Sequence, residues 1–286
     1  MSDVATPQSA ADAAPASAAA ALAARYGTEW TAALPAWNGT LDTLLAHRSV
    51  RAYANRPLPA GTLETLIAAA QSAPTSSNLQ TWSVVAVENP ERKARLSGFA
   101  GNQSHVRETP LFLVWLADLS RLEQVAARKD APLEGLPYLE TFITSVIDAA
   151  LAAQNAVVAA ESLGLSTVYI GGIRNRPEQV AAELGLPPRV MPVFGLCVGY
   201  EDETKRATVK PRLAQPVVLH REQYDAQSQA PRIDEYDNVA VAFQTSQGLD
   251  SVGWTARSLG RWRSRESLHG RDRLRDALNA LGFELR

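Results

Sequence analysis

The chain contains few of the residues that build disulfides and metal centres. Its 286 residues include a single cysteine, Cys197, and four histidines. One cysteine cannot form an intrachain disulfide, and such sparse use of cysteine is typical of a reducing compartment. The histidines are scattered, with no H-E-x-x-H spacing, and no C-x-x-C occurs. We therefore expect no metal site.

Nucleotide-binding and membrane signatures are also missing. No G-x-G-x-x-G follows a predicted strand and no G-x-x-x-x-G-K-[ST] occurs, which argues against a dinucleotide fold or a P-loop. The net charge of −2 provides no overall attraction to nucleic acid or to an anionic membrane. The longest nonpolar stretch, 143–165, carries Asp148 and Glu161, so we expect no membrane helix. The N-terminus lacks the basic and leucine-rich parts of a signal peptide, which favours a cytoplasmic protein.

What the chain does contain is an ordinary globular composition behind an alanine-rich start. Hydrophobic residues make up 46% and charged residues 20% of the chain, as in most globular proteins. Residues 1–20 are nearly all small, and we expect them to be mobile because they can bury little apolar surface. A short helix is predicted at 21–26, with Trp30 and Trp37 as anchors. The predicted divisions are an extension 1–36, a core 37–231 and a C-terminal helical segment 232–286.

Alternating helix and strand patterns predict an α+β fold with one central sheet wrapped by helices. A helix is predicted over 59–73, with Thr62 as a candidate N-cap. A second helix, 141–163, is apolar nearly all round, as expected in a large core or between subunits. The core is expected to start near Thr40, and 111–117 is too apolar for an edge strand. The predicted strands are 82–87, 111–117, 167–170 and 193–198.

The most informative motif is a cluster of cations with a hydroxyl. His47-Arg48-Ser49-Val50-Arg51 follows one apolar segment, and Lys210-Pro211-Arg212 follows another far downstream. Arginine binds phosphate through a planar fork with charge-assisted hydrogen bonds, and Pro211 restricts the backbone between its two cationic neighbours. Together the two clusters predict a phosphate clamp. Taken singly, the first is also typical of a solvated helix end and the second of a surface loop.

Two further motifs consist of small or polar residues at element ends. Ser76-Ser77-Asn78-Leu79-Gln80 lies between a predicted helix and a strand, and offers donors and acceptors for a polar heterocycle or a polyol. Tyr169-Ile170-Gly171-Gly172 ends a strand with two glycines, which permit close approach of a ligand to the backbone. Each is also compatible with a plain turn. Their order along the chain is what strengthens the functional interpretation.

The resemblance to a known family rests on six strings. In order they are HRSVRAY, SAPTSSNLQTWSVV, GNQSHV, AQNAVVAAESLGLSTVYIGGIRN, PVFGLCVGY and KPRL. These strings, spread over about residues 41–224, resemble the flavin-dependent nitroreductase family, and most closely its oxygen-insensitive NADPH nitroreductase and flavin reductase branch. The resemblance implies a central mixed sheet wrapped by helices, in an intertwined homodimer with FMN at the subunit interface.

The resemblance also assigns FMN contacts to residues of this chain. The FMN phosphate and nearby groups are assigned to His47, Arg48, Arg51, Lys210 and Arg212, and the ribityl–phosphate region to Ser49. The flavin surface is assigned to Ser76, Ser77 and Asn78 from the other subunit and to Tyr169, Ile170, Gly171 and Gly172. Gln103 is assigned to polar atoms of the flavin or of the ribityl chain. Gln154 and Asn155 fall in the interface helix and are assigned structural roles.

The implied activity is a ping-pong reaction on the flavin. NADPH or NADH reduces FMN, and a nitroaromatic, a quinone or a free flavin then takes two electrons. No catalytic side chain is implied, and Cys197 is expected to be buried and inert. Two alternatives stay open: a non-catalytic flavin-binding or regulatory protein, and other flavin chemistry on the same fold, such as dehalogenation.

One region departs from the branch. In members of that branch, a loop that contains an arginine binds the 2′-phosphate of NADPH. The corresponding residues 242–254 of this chain contain no arginine or lysine. We expect that Arg257 or Arg261 replaces that arginine, or that the preference for NADPH over NADH is weakened.

Overall fold

The computed structural model describes residues 16–29 and 36–286. Most of the segment expected to be mobile, 1–20, lies outside the described residues, as does the predicted anchor Trp30. The described part of that segment is helical, because the first helix begins at Ala16 and not at residue 21. Trp37 donates a hydrogen bond from its indole Nε1 to Asp42 Oδ1 at 2.7 Å.

The chain divides into two compact units. The first comprises Met1–His47 and Val209–Leu259, and the second Arg48–Thr208 and Gly260–Arg286. The helices are α1 Ala16–Tyr26, α2 Gly39–Ala46, α3 Thr62–Gln71, α4 Pro90–Phe99, α5 Ser104–Glu108, α6 Ser120–Lys129, α7 Leu139–Ser162, α8 Pro177–Leu184, α9 Gln215–Val218, α10 Ala230–Ser246, α11 Gly253–Arg261 and α12 Leu274–Ala280.

The second unit is built on a four-stranded sheet. Its strands are β1 Trp82–Val87, β2 Leu111–Asp118, β3 Ser166–Ile170 and β4 Val190–Gly199. They pair antiparallel in the order β1-β2-β4-β3, and a parallel bridge joins Ser49 to Thr167 of β3. All eight residues of β2 are buried. The prediction that this strand is central is therefore confirmed, as is the α+β class.

Helices cover both faces of the sheet. Successive residues of a strand point to opposite faces, and β2 uses both. Trp115 shares a buried cluster with Val157 of α7 and Leu66 of α3, whereas Phe112 shares another with Leu96 of α4. Burying one such side chain stabilises the fold by about 1.5–3 kcal/mol relative to leaving it exposed. The near-continuous apolar run of β2 follows from this two-sided burial.

Helix α7 has one buried and one exposed apolar face. Its residues Leu139, Ile143, Ile147 and Leu151 are 39–52% exposed, and their four-residue spacing places them along one stripe. Helix α7 is long enough and apolar enough to cross a membrane, with a mean hydropathy of 1.5. This corrects the expectation that no segment of the chain has both the length and the composition of a membrane helix. This is weak evidence for a membrane, because a core helix passes the same test and the other face of α7 packs on the sheet.

One local prediction is wrong. The N-cap of α3 is Gly61, with φ of +81°, and Thr62 is the first helical residue, whose hydroxyl donates to the Pro59 carbonyl at 2.7 Å. Helix α2 has no buried residues, and the first buried side chain after α2 is Val50. Helical spacing of apolar residues predicts a helix, but it does not show whether other elements cover them.

Candidate functional site

In the second unit, residues 48–53 are fixed alongside β3. Ser49 forms the parallel bridge to Thr167, and the Val50 N–H donates to the Thr167 carbonyl at 3.0 Å. Val50 is fully buried, whereas Arg51 is exposed. Because neighbouring residues of an extended segment point to opposite sides, burial of Val50 turns Ser49 and Arg51 outward. The second unit thus presents Arg48 to Arg51 from a paired segment beyond the end of α2, so the solvated helix end is not the better interpretation.

Arg48 is oriented by a carboxylate that the sequence analysis missed. Its Nη2 lies 2.7 Å from Glu201 Oε2, and the other Glu201 oxygen accepts a hydrogen bond from the Ala207 N–H at 2.6 Å. Partial burial alone would raise the pKa of Glu201, but these bonds from Arg48 and Ala207 hold it below its ordinary value. The pair uses one edge of the guanidinium and leaves its other donors for a ligand.

In the first unit, Lys210 and Arg212 flank a buried proline. The Pro211 carbonyl accepts a hydrogen bond from the Tyr236 hydroxyl at 2.8 Å, and the side chains of Lys210 and Arg212 are exposed. Arg25 of α1 donates to the Lys210 carbonyl at 3.0 Å, and its own carbonyl accepts from the Arg212 N–H at 2.8 Å. The main chain beneath both cations is therefore held in place. Nothing in the sequence marks Arg25, because its partners are backbone groups that every residue possesses.

The polar loop 75–81 of the second unit is strained and anchored. Ser77, Asn78 and Gln80 have φ of 47°, 57° and 53°, a left-handed conformation that costs a residue with a side chain about 1–2 kcal/mol. A buried carboxylate, Asp148 of α7, compensates by accepting hydrogen bonds from both ends of the loop. The side chains of Ser76, Ser77 and Asn78 are exposed. The loop therefore has a fixed conformation and presents accessible hydrogen-bond donors and acceptors.

The two glycines after β3 have different surroundings. A Cβ on Gly172 would come within 2.4 Å of the Ala100 carbonyl oxygen and 2.7 Å of Gln103 Nε2, so this glycine is required for packing. Gln103 itself donates from Nε2 to the Ala100 carbonyl at 2.8 Å. The atoms nearest to a Cβ on Gly171 belong to the Arg174 guanidinium, the closest at 3.4 Å. A ligand could therefore reach the main chain at Gly171 if the flexible side chain of Arg174 moved.

Neighbouring side chains hold the rest of this turn. Ile170 is buried, and the half-exposed Tyr169 packs edge-on against Phe194 at 5.2 Å between ring centroids. Burial raises the pKa of the Tyr169 hydroxyl, which donates to Gln154 Oε1 at 3.3 Å. Asn155 Nδ2 donates to the Ala69 carbonyl of α3 at 3.1 Å. Both α7 amides therefore make structural contacts in this chain, as expected.

The predicted arginine-poor loop is shorter than expected. Helix α10 continues to Ser246 and α11 begins at Gly253, so only 247–252 connects them. Arg257 donates to the Asp250 carbonyl at 2.8 Å and, with Lys210, lines a cavity of about 160 Å³ in the first unit. Of the two candidates for the NADPH phosphate, Arg257 therefore shares a cavity with a predicted phosphate ligand.

Arg261, the other candidate, belongs to a cluster of three arginines in the second unit. Burial lowers the pKa of Arg174 and of Arg271, and repulsion from Arg261 lowers both further. Arg261 also donates to the Ser267 carbonyl. Of the three, Arg174 is the one whose guanidinium lies next to Gly171. A bound anion would relieve the repulsion among these cations.

Cys197 is buried away from solvent. Cys197 is buried in β4, burial raises the pKa of its thiol, and its Sγ lies 3.6 Å from the His105 carbonyl. This confirms the expectation of an inert cysteine. Within the described ranges 16–29 and 36–286, no group of three or more potential metal ligands occurs.

The donors present fit FMN. Its phosphate requires cations and several donors, because an unpaired anion is costly to bury. The second unit presents Arg48, Ser49 and Arg51, and the first presents Lys210 and Arg212. The nearest group to a Cβ on Gly171 is the flexible side chain of Arg174, and loop 75–81 offers hydroxyls and an amide.

The fold is α+β, and each of the two units presents exposed cations of the kind that bind an anionic cofactor. The sequence matches the model of the Nitroreductase family over residues 44–200 and that of the Nitroreductase family C-terminal domain over residues 210–286. The chain belongs to the nitroreductase family.

Characterised relatives agree with this assignment. The chain is 44% identical over 189 residues to the FMN reductase (NADPH) of Bacillus subtilis, covering 66% of this chain and 75% of that protein. It is 36% identical over 212 residues to the oxygen-insensitive NADPH nitroreductase of Salmonella typhimurium, covering 74% and 85%. The structure of the NADPH:FMN oxidoreductase from Vibrio harveyi complexed with NAD+ superposes with a TM-score of 0.76 at 35% identity, covering 87% of this chain and all of that one.

Proposed function

We propose that this protein is an FMN-dependent NAD(P)H oxidoreductase that reduces nitroaromatics, quinones or free flavins by two electrons in a ping-pong reaction. The observation that carries this function is the pairing of Ser49 with Thr167. It places the predicted phosphate-binding segment next to β3, which leads directly into Gly171-Gly172. Two predicted FMN motifs, far apart in sequence, thus meet on one strand of the second unit.

FMN is assigned to the residues that the resemblance implies. The phosphate is assigned to His47, Arg48, Arg51, Lys210 and Arg212, the ribityl region to Ser49 and Gln103, and the ring surface to Ser76, Ser77, Asn78, Tyr169, Ile170, Gly171 and Gly172. The exposure of Arg51, Lys210 and Arg212, and the bonds that hold their main chain, support this assignment.

When bound, FMN supplies the acceptor for hydride and the donor of two electrons. The protein would bind and orient it: the cations would neutralise the phosphate, and the backbone at Gly171 would contact the ring. The assignment needs no side-chain nucleophile, in agreement with the buried Cys197. We keep the division into an extension 1–36, a core 37–231 and a helical segment 232–286 as part of the proposal.

We also propose a homodimer. The stripe Leu139, Ile143, Ile147 and Leu151 on α7 is an exposed apolar face, and contiguous patches of this kind mark interfaces in soluble proteins. A twofold axis would pack the stripe against its own copy. Such a dimer would function in the cytoplasm, where NADPH and NADH are available to it.

The 2′-phosphate of NADPH is assigned to Arg261 first and to Arg257 second. Arg261 belongs to a like-charged cluster that an anion would stabilise. Arg257 has the weaker support of a shared cavity with Lys210.

The decisive experiment is a spectrum followed by an assay. The purified protein should carry bound flavin, seen in its visible absorbance, and should oxidise NADPH when a nitroaromatic or a quinone is added. Arg48→Ala and Lys210→Ala should each lower flavin occupancy after dialysis, whereas Arg128→Ala, an exposed position on α6, should not. Flavin binding without turnover would support a binding protein instead, and full occupancy in both site variants would show that the phosphate assignment is wrong.

A further inference from the structure

We infer that α1, a helix that precedes the family domain, is part of the cofactor site, and that its Arg25 is a positioning residue for the phosphate clamp. This inference rests on the proposed function. The family model begins at residue 44, so α1 is additional to it. The Vibrio harveyi structure is matched along its whole length by 87% of this chain, which leaves part of this chain without a counterpart there.

Helix α1 is docked firmly within the first unit. Ala18, Leu22 and Arg25, at helical spacing, are 0%, 7% and 8% exposed. The helix ends at Gly27, where φ is +71° and a Cβ would come within 2.3 Å of Val239 Cγ1. A side chain at that position would clash with α10. The end of α1 that carries Arg25 is therefore packed closely against α10.

The Arg25 guanidinium connects two parts of the predicted clamp. Nη2 donates to the carbonyls of Leu45 at 2.7 Å and His47 at 2.8 Å, and Nη1 donates to the carbonyl of Lys210 at 3.0 Å. The Arg25 carbonyl in turn accepts the Arg212 N–H at 2.8 Å. One residue therefore fixes the main chain at the end of α2 and on both sides of Pro211.

The chemistry of these bonds explains why arginine is required. Three carbonyl oxygens turned toward one another would repel each other and an incoming phosphate. A planar, permanently charged guanidinium satisfies them in one plane with charge-assisted bonds. Lysine also has three N–H donors, but they sit on one nitrogen at the end of a differently shaped side chain. It therefore lacks the two separate nitrogens that Arg25 uses, Nη2 for Leu45 and His47 and Nη1 for Lys210. Arg25 thus sets the positions of His47, Lys210 and Arg212 without touching the phosphate itself.

If Arg25 has this role, its replacement should weaken binding of the FMN phosphate and should not weaken binding of the flavin ring. Full-length protein, freed of flavin by dialysis, is titrated with FMN and with riboflavin, which lacks the phosphate. In Arg25→Ala the affinity for FMN should fall about tenfold, the equivalent of one lost charge-assisted bond, while the affinity for riboflavin stays within about twofold. Arg25→Lys should lie between Arg25→Ala and the wild type, and Arg128→Ala should match the wild type.

The outcomes separate this inference from the function on which it rests. If both Arg25 variants keep the wild-type ratio of FMN to riboflavin affinity, or lose both affinities equally, Arg25 is not a positioning residue for the clamp. Should Arg25→Ala fail to fold, the ratio in Arg25→Lys decides. If Lys210→Ala lowers the ratio and neither Arg25 variant does, only the role of α1 is refuted. A wild-type protein that binds neither flavin overturns the proposed function and this inference with it.

Discussion

Replacing Asp148 should release the polar loop 75–81 and should weaken the second unit without unfolding it. The carboxylate is 1% exposed. Its Oδ2 accepts from Thr75 Oγ1 at 2.6 Å and from the Thr81 N–H and hydroxyl at 3.0 Å each, and its Oδ1 accepts from the Ser76 N–H at 3.2 Å. Asp148→Ala would leave these donors without their acceptor in a place that water reaches poorly.

The magnitude follows from the type of bond. Hydrogen bonds to a charged group contribute about 1.5–3 kcal/mol each, but bonds in one network are not additive. Each buried donor left without its acceptor costs about 1–3 kcal/mol, and because these costs are not additive we expect Asp148→Ala to cost about 3–5 kcal/mol in all. Asp148→Asn retains an oxygen that can take the Oδ2 position and turns an N–H toward the Ser76 N–H, so its cost should be about 1–2 kcal/mol.

Two measurements test this reasoning. Urea unfolding should give the ranking wild type, Asp148→Asn, Asp148→Ala, in order of decreasing free energy of unfolding. Amide hydrogen exchange should show protected Ser76 and Thr81 amides in the wild type, with protection lost at both in Asp148→Ala. If Asp148→Ala costs less than about 1 kcal/mol, or if both amides stay protected, Asp148 does not hold the loop.

Three further predictions concern other parts of the protein. The pKa of Glu201 is held below its ordinary value, so its stabilising contribution is present above that value and lost as the pH falls through the folded pKa. Glu201→Gln should therefore be about 1 kcal/mol less stable than the wild type at neutral pH, with the difference shrinking as the pH falls through the folded pKa, and a difference that does not change with pH would contradict the ion pair. Arg261→Ala should raise KM for NADPH about tenfold and leave KM for NADH unchanged, with Arg257→Ala as the comparison; a loss for both cofactors would refute a phosphate contact. Ile147→Glu should shift the protein from dimer to monomer in light scattering, whereas Ser162→Glu at the exposed end of the same helix should not; a variant that stays dimeric would exclude the stripe as the interface.

The two strands β1 and β2 were predicted most accurately. Strand β1 was expected at 82–87, where it lies, and β2 differs from its prediction only by inclusion of Asp118. Strand β2 is buried on both faces, so it must be apolar along its whole length, and that signal is local. The start of α3 was predicted less well, because Gly61 caps the helix through its backbone conformation and Thr62 does not.

Some residues of the candidate site could also be predicted from the sequence, and others could not. Some site residues could be predicted from residue type alone: the cation Arg48, the hydroxyl of Ser49 and the glycine Gly171. Each of these types binds a narrow range of chemical groups. Glu201 and Asp148 were not found, since an isolated acidic residue has the same pattern whether it is solvated or buried. The three-arginine cluster was half found: Arg261 was named as a candidate, but its neighbours Arg174 and Arg271 were not connected to it.

By itself, then, the sequence determined the class of fold, the central strands and the kinds of side chain available for an anionic cofactor. These depend on hydrophobic period and residue chemistry, which are properties of short stretches. Only the tertiary structure decided which polar groups meet: Thr81 with Asp148 across 67 positions, Arg48 with Glu201 across 153, and Arg25 with Lys210 across 185. The physical reason is that a hydrogen bond depends on placement to within a few tenths of an ångström. That placement is set by the packing of elements far apart in the chain, and no local pattern records it.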